Sequence, residues 1–423
     1  MITKPNKNKK DININITTIN ISKINITPIN ITTINIKPQI QKNDSNIKNK
    51  TIFINNDTKL KIDELNLKFN NSDEKFREKF KKEIDFLNSC LNDIKIEKFE
   101  KCDNPRISIV IPFYNGKKYL NRLLRSIQKQ KIKEIEIVFV EDCSTDNSSE
   151  VLEEYSKIDK RIVIVKNKQN KGTFYGYIRG ALEVKANHLI IIDQDDMLLS
   201  NLKELIEVSE QNNKDINDFS YLEEQKNNIT ETILDAYELL EQPAIEELVF
   251  TGKYNKDKGF YITKKILKSE FFKDVVKRIK EEYLNGHIIL HGDTILFVSI
   301  FSYAKSYQSF NSLYSEIHFY NKETISRNIN SKYNDFFQVS IYLLKYVSEL
   351  KYNSQKMFNL HIQLGVRMVF WALNVVGLNK LILNWDLFNK TIKGILNNKD
   401  LNQPKKLDIR RISNLVNSKS NRH

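Results

Sequence analysis

Cysteine is scarce in this chain: three in 423 residues, at positions 90, 102 and 143. An odd number so widely spaced excludes a disulfide scaffold and a zinc knuckle, and points to a reducing compartment. Histidine is scarce as well. The six at 188, 287, 291, 318, 361 and 423 show no His-Glu-x-x-His spacing. His287 and His291 could share a helical face, but no third ligand of suitable spacing accompanies them. There is no Walker loop and no Gly-x-Gly-x-x-Gly after a strand, which argues against kinase, ATPase and dehydrogenase chemistry. No apolar run is long enough for a spanning helix, and the polar start Met1-Ile2-Thr3-Lys4-Pro5 has no signal-peptide core. These absences predict a cytoplasmic protein. Basic charge is missing where a nucleic-acid enzyme would need it. The net charge of +14 lies in the flanks, +7 over residues 1–60 and +10 over 331–423, whereas 104–330 carries −2. Nucleic acid is therefore not an expected partner.

What is present begins with low complexity. Over residues 1–57, Asn15, Asn20, Asn25, Asn30 and Asn35 recur every fifth position, each followed by Ile. The copies are too few for a stable solenoid, so an unstructured, β-prone extension is expected. Four of these asparagines (15, 20, 25 and 30) lie in Asn-x-Ser/Thr sequons, which matter only in a secretory lumen. Residues 58–103 read as a neck of charged helices with an apolar stripe of Phe76, Phe80, Ile84, Leu87 and Leu91. The stripe predicts packing on the core or on a partner. Residues 331–423 read as helical. Their stretch Phe358–Leu383 is broken by Arg367, Asn374 and Lys380, and Lys405, Lys406, Arg410 and Arg411 follow it. That pattern suits a helix closing the core. The alternative is peripheral contact of this helix and basic tail with the cytoplasmic membrane face.

Between these flanks, strand and helix alternate. Ile107 to Ile111 is an aliphatic strand that Pro112 should stop. Tyr119, Leu120, Leu123, Leu124 and Ile127 then fall on one helical face. Strands follow at 135–140 and 162–165, helices at about 149–157 and 175–186, and a last aliphatic run, Leu189 to Ile192. This order predicts an α/β fold with a parallel sheet and right-handed crossovers. The last run ends in Asp193-Gln194-Asp195-Asp196. Alternation puts Asp193 and Asp195 on one side, just beyond the carboxyl edge where such sheets bind ligands. Two hard oxygen donors there suit Mg²⁺ or Mn²⁺. The bland reading is an acidic turn favouring the next helix N-terminus, at about 200–211. Asp293 lies between Gly292 and an apolar helix, as a cap, a base or both.

Four segments carry a resemblance: Ser-Ile-Val-Ile-Pro-Phe-Tyr-Asn at 108–115, Glu-Asp-Cys-Ser-Thr-Asp-Asn-Ser at 141–148, Asn-Lys-Gly-Thr at 170–173 and Asp-Gln-Asp-Asp at 193–196. In order and spacing they resemble the motifs of family-2 glycosyltransferases. Weaker echoes follow at Phe250–Lys253, Gly259–Ile262 and His291–Phe297, so the resemblance covers roughly residues 104–330. It implies the GT-A fold, a Rossmann-like nucleotide-diphosphosugar transferase domain. It implies that Pro112 and Tyr114 flank the base, with Tyr114 stacking on it, and that the loop from Asn115 closes around the ribose. Asp142 would accept a hydrogen bond from base or sugar. Asp195 would be the principal metal ligand, and Asp193 would face metal or ribose. Asp293 would be the general base of an inverting displacement. The family's Arg after the third motif falls at Tyr177 or, with a shift, at Arg179, which is taken as nucleotide-sugar-binding. The chain departs from the pattern at Glu141, Cys143 and Gly292, where Asp, Gly and Glu are usual.

The expected function is metal-dependent transfer of a sugar from a nucleotide diphosphosugar, UDP-linked by preference, to a hydroxyl of a glycan or lipid-linked acceptor. One alternative is a sugar nucleotidyltransferase, though Tyr114-Asn115-Gly116-Lys117-Lys118 is a poor match to its loop. The other is a degenerate nucleotide-sugar-binding subunit without activity.

Overall fold

The computed structural model describes residues 56–92, 96–250, 261–279 and 292–319, with Lys393 alone beyond them. The repeat segment, the helix expected at 358–383 and the basic tail lie outside the described residues. Two helices come first, α1 (Asn56–Asn70) and α2 (Glu74–Asn92). The alternating part follows as β1 (Ile107–Phe113), α3 (Lys117–Gln128), β2 (Ile135–Glu141), α4 (Ser148–Ile158), β3 (Ile162–Lys166), α5 (Thr173–Glu183) and β4 (His188–Ile191). After it come β5 (Met197–Leu198), α6 (Leu202–Asn212), β6 (Ile216–Glu224), β7 (Ile229–Thr232), β8 (Tyr237–Leu240) and α7 (Ala244–Phe250). The last elements are β9 (Lys265–Lys268), α8 (Ser269–Arg278), α9 (Gly292–Tyr303) and β10 (Tyr307–His318).

All described strands join one sheet, whose main path runs β3-β2-β1-β4-β9-β6-β10-β5. The four strands β3, β2, β1 and β4 are mutually parallel. β9 then runs antiparallel to both β4 and β6, so the sheet is mixed beyond the first half. β1 and β2 are buried at every position, as expected of strands covered on both faces. One core layer joins Leu120, Leu123, Leu124 and Ile127 of α3 with Leu202, Leu205 and Ile206 of α6 and the strand residues Ile109, Ile190 and Phe219. Each such side chain contributes roughly 1.5–3 kcal/mol by leaving water.

Pro112 does not stop the first strand. β1 runs through it, pairing Pro112 with Val140 and Phe113 with Glu141. The reason is directional. Phe113 turns its carbonyl toward β2, where Asp142 N–H donates to it at 2.9 Å. Adjacent residues alternate, so the proline's missing N–H lies on the β4 side, where registered pairing ends at Val110. The helix expected at 175–186 spans Thr173–Glu183 instead, because Val184 is already extended.

The stripe of α2 is buried: Phe76, Phe80, Ile84, Leu87 and Leu91 pack with Met197, Leu199, Ile317 and Phe319. The Ser200 N–H and hydroxyl both donate to the Glu83 carboxylate of α2, at 2.8 and 2.7 Å. These helices thus bear on the segment just after the acidic turn. Among the described residues, no helix is long and apolar enough to cross a membrane.

Candidate functional site

The site is built at the carboxyl ends of β1, β2 and β4, where each strand ends in a polar turn. After β4, the four residues 193–196 are each held by a different neighbour. The Tyr177 hydroxyl of α5 donates to Asp193 Oδ1 at 2.7 Å. The Gln194 side chain pairs with the Tyr114 main chain, accepting from its N–H and donating to its carbonyl, both at 3.0 Å. Arg122 of α3 donates to the Asp195 carbonyl. Asp196, fully buried, faces His318 Nδ1 at 3.0 Å and accepts from the Phe319 N–H at 3.0 Å. An acidic turn that would repel itself in isolation is thereby fixed by β1, α3, α5 and β10 together.

The electrostatics follow from that crowding. Burial first, then the charges of Asp196 and Asp195, push the Asp193 carboxyl up to about 7. Asp196 goes the other way: burial would raise it, but the charge and hydrogen bond of His318, the Lys264 charge and the Phe319 N–H together hold it below its ordinary value. His318 is pushed up to about 9, chiefly by Asp196. A buried lysine, Lys264, stands behind the cluster. Burial would lower its pKa, but Glu316 and Asp196 keep it raised. Its ammonium donates to Glu316 Oε1 at 2.9 Å and Thr263 Oγ1 at 2.8 Å. The Lys264 backbone is left-handed, with φ 71°, an uncommon conformation for a side chain of this size.

The His318–Asp196 pair gives a testable pH dependence. A histidine whose folded pKa exceeds its unfolded one contributes stability that is complete below about 6.5 and lost as pH rises through about 9. With the side chain a quarter exposed, roughly 2 kcal/mol after solvent screening is expected. His318→Gln should therefore melt well below wild type at pH 6.5, and the two should converge by pH 9.5. Parallel melting curves across that range would contradict the pairing.

The turns after β1 and β2 interlock. Asn115 has φ 48°, and its side-chain oxygen accepts from the Thr145 N–H at 2.7 Å. Its own N–H donates to Ser144 Oγ at 3.0 Å. Asn115 thus shapes the loop, a use favoured by its tolerance of left-handed backbone. Tyr114 is 39% exposed beside it, a flat ring open to solvent. Pro112 lies beneath α5, against Gly176. Asp142 is buried and accepts from Asn167 Nδ2 at 2.7 Å, Lys171 N–H at 2.9 Å and Gly172 N–H at 2.8 Å. Both its oxygens are engaged in fixing the turn before α5, so the structure shows a loop clamp at this position.

Arg179 is not brought to this cluster. Its guanidinium pairs with Glu183 one turn later at 2.6 Å, and both side chains are 39% exposed. Tyr177 takes the inward position. Asp293 stands in the first turn of α9 and not before it, so it is not a cap; its carboxylate accepts the Thr294 N–H at 2.9 Å. Burial pushes it up to about 6. Its charge also raises the Tyr177 hydroxyl, as do those of Asp193 and Asp195, with burial the main cause. Tyr177 therefore touches Asp193 and feels the charges of Asp195 and Asp293, the last about a hundred residues further along the chain.

Residues 108–276 match the sequence profile described as "Glycosyl transferase family 2". These residues form a family 2 glycosyltransferase domain. Glycosyltransferase GlyG of Streptococcus pneumoniae serotype 4 is 28% identical over 205 residues, 46% of this chain and 68% of that protein. Glycosyltransferase GlyA of the same organism is 37% identical over 93 residues, 22% of this chain but 13% of its own length. The fold is that of GT-A glycosyltransferases. S. aureus TarS 1-349 in complex with UDP-GlcNAc superposes with a TM-score of 0.52 at 14% identity, over 71% of this chain and 82% of that one. S. aureus TarS superposes at 0.51 and 15% identity, over 71% of this chain and half of that one.

Around the acidic turn of this glycosyltransferase, the residues that sequence reasoning missed are His318, Arg122 and Lys264, the first of them beyond the matched residues. His318 lies 122 positions from Asp196 and Arg122 lies 73 from Asp195, with no local motif marking either. Gln194 was inside the motif, and its amide is the signal that could have been read. Among the described residues, no three His, Cys, Asp or Glu side chains are arranged to hold a metal by themselves. The oxygen donors of Asp193 and Asp195 nonetheless suit a hard divalent cation. Burial first, then repulsion from Asp196 and Asp195, raises Asp193 to about 7, and such a cation would relieve the repulsive part.

Proposed function

We propose that this domain transfers a sugar from a UDP-linked donor to a hydroxyl of a glycan or lipid-linked acceptor, with Mn²⁺ or Mg²⁺ and with inversion at the anomeric carbon. The observation that carries the reading is the acidic turn 193–196 held at the carboxyl edge of the sheet by Tyr177, Tyr114, Arg122 and His318, with Asp293 in electrostatic reach of the same Tyr177. The bound UDP-GlcNAc named for the TarS structure favours a uridine donor.

In this reading Asp195 and Asp193 would hold the cation, which would supply counter-charge to the departing diphosphate. Tyr114 offers its exposed ring to the base. Asp142 acts indirectly, holding Lys171 and Gly172 so that the loop before α5 keeps its shape. Asp293 takes the proton of the acceptor hydroxyl as that oxygen bonds to the anomeric carbon. The bond from that carbon to the phosphate oxygen breaks, and its electron pair leaves with the nucleoside diphosphate. Only the unprotonated Asp293 can accept the proton, so activity should rise with pH through about 6.

The direct test is a screen of nucleotide sugars for release of free nucleoside diphosphate, with and without Mn²⁺. Release of UDP that needs both a UDP-sugar and the metal is expected. Tight UDP binding with no turnover on any acceptor would favour a non-catalytic binding subunit.

A further inference from the structure

Two glycines let α5 sit directly on the strands. At Gly176 a Cβ would come within 2.9 Å of the Pro112 Cβ, and at Gly180 within 2.4 Å of Val110 Cγ1 and 2.9 Å of Val140 Cγ2. Any larger residue would lift the helix. Seated this deeply, α5 brings the Tyr177 hydroxyl within 2.7 Å of Asp193 Oδ1. The ring is almost wholly buried, so a phenylalanine would fill the same space and the hydroxyl is not needed for packing. Its proton points at a single carboxylate oxygen. That bond fixes the rotation of the carboxylate and leaves the second oxygen outside it.

The chemistry of the donor group matters. A guanidinium at this depth would form an ion pair with Asp193 and cancel its charge. A phenol orients the carboxylate and leaves the charge in place. The helix does carry an arginine, Arg179, but directs it to Glu183. We propose that Tyr177 is a positioning residue for donor binding, holding Asp193 in the orientation in which its carboxylate serves the diphosphate end of the nucleotide sugar. This rests on the donor-binding reading given above.

The test uses the full chain as wild type, Tyr177→Phe, Asp193→Asn and the double variant. UDP affinity is measured by calorimetry with Mn²⁺ present, and KM and kcat by UDP release. Tyr177→Phe should weaken UDP binding and raise the donor KM by roughly tenfold, the size of one charge-assisted hydrogen bond, with kcat within about threefold. In the Asp193→Asn background the same change should add less than about twofold, because the partner it acts through is already altered. Unchanged UDP affinity in Tyr177→Phe overturns the proposal. So does an equal tenfold loss in both backgrounds, which would place the hydroxyl's action elsewhere. If wild type binds no UDP at all, the donor reading itself has failed, an outcome the single variants cannot mimic.

Discussion

Asp293→Asn should bind the donor nearly as wild type does and transfer sugar roughly two to four orders of magnitude more slowly. The asparagine keeps the size of the side chain, and its amide oxygen can still accept the Thr294 N–H that Asp293 accepts at 2.9 Å. What it cannot do is take a proton. The residue sits in the first turn of α9 and makes none of the hydrogen bonds that hold residues 193 to 196, so UDP affinity should stay within a few-fold. Removing a carboxyl that burial has pushed up to about 6 also removes a desolvation penalty, so stability should hold or rise slightly. The acid limb of the activity profile, expected near pH 6 in wild type, should vanish with the carboxylate. UDP release, calorimetry and melting temperature on one preparation would decide. Turnover near the wild-type rate would place the base elsewhere.

Asp195→Ala should abolish transfer while leaving the fold in place. Arg122 grips the main-chain carbonyl of residue 195, and an alanine presents the same carbonyl. The turn also keeps its other ties, Gln194 to Tyr114 and Asp196 to His318. The lost carboxylate is then a change of charge more than of shape. If Asp195 holds the cation that neutralises the leaving diphosphate, UDP release should fall below detection. Excess EDTA should do the same to wild type, and added Mn²⁺ should restore it. Full activity in the variant, or in wild type with EDTA, would remove the metal from the proposed reaction. The Asp193 pKa should fall in this variant, since Asp195 is one of the charges raising it, after burial and Asp196.

The first four strands were legible because they are short aliphatic runs ended by polar turns, and burial on both faces demands that composition; the antiparallel β9 and the strands beyond it were not. Pro112 was misread for want of a direction: a proline is excluded only on the side where a neighbour needs its N–H, and that side depends on where β4 stops. The acidic turn was legible as a candidate site only together with the three segments before it, since an acidic turn after a strand is common. Its partners were not. The histidine that charges Asp196 and the arginine that grips Asp195 come from β10 and α3, and neither carries a local signature.

The sequence by itself determined the alternation of strand and helix and the carboxylates at strand ends, because periodicity and turn chemistry are local. Tertiary structure decided what each of those carboxylates does. Asp142 became a clamp because the loop before α5 folds back onto both its oxygens. Tyr177 and not Arg179 entered the cleft because Gly176 and Gly180 fix which face of α5 meets the sheet. Asp193, Asp196 and Asp293 acquired three different proton affinities, since burial and the nearest charge act through space and no distance along the chain reveals them.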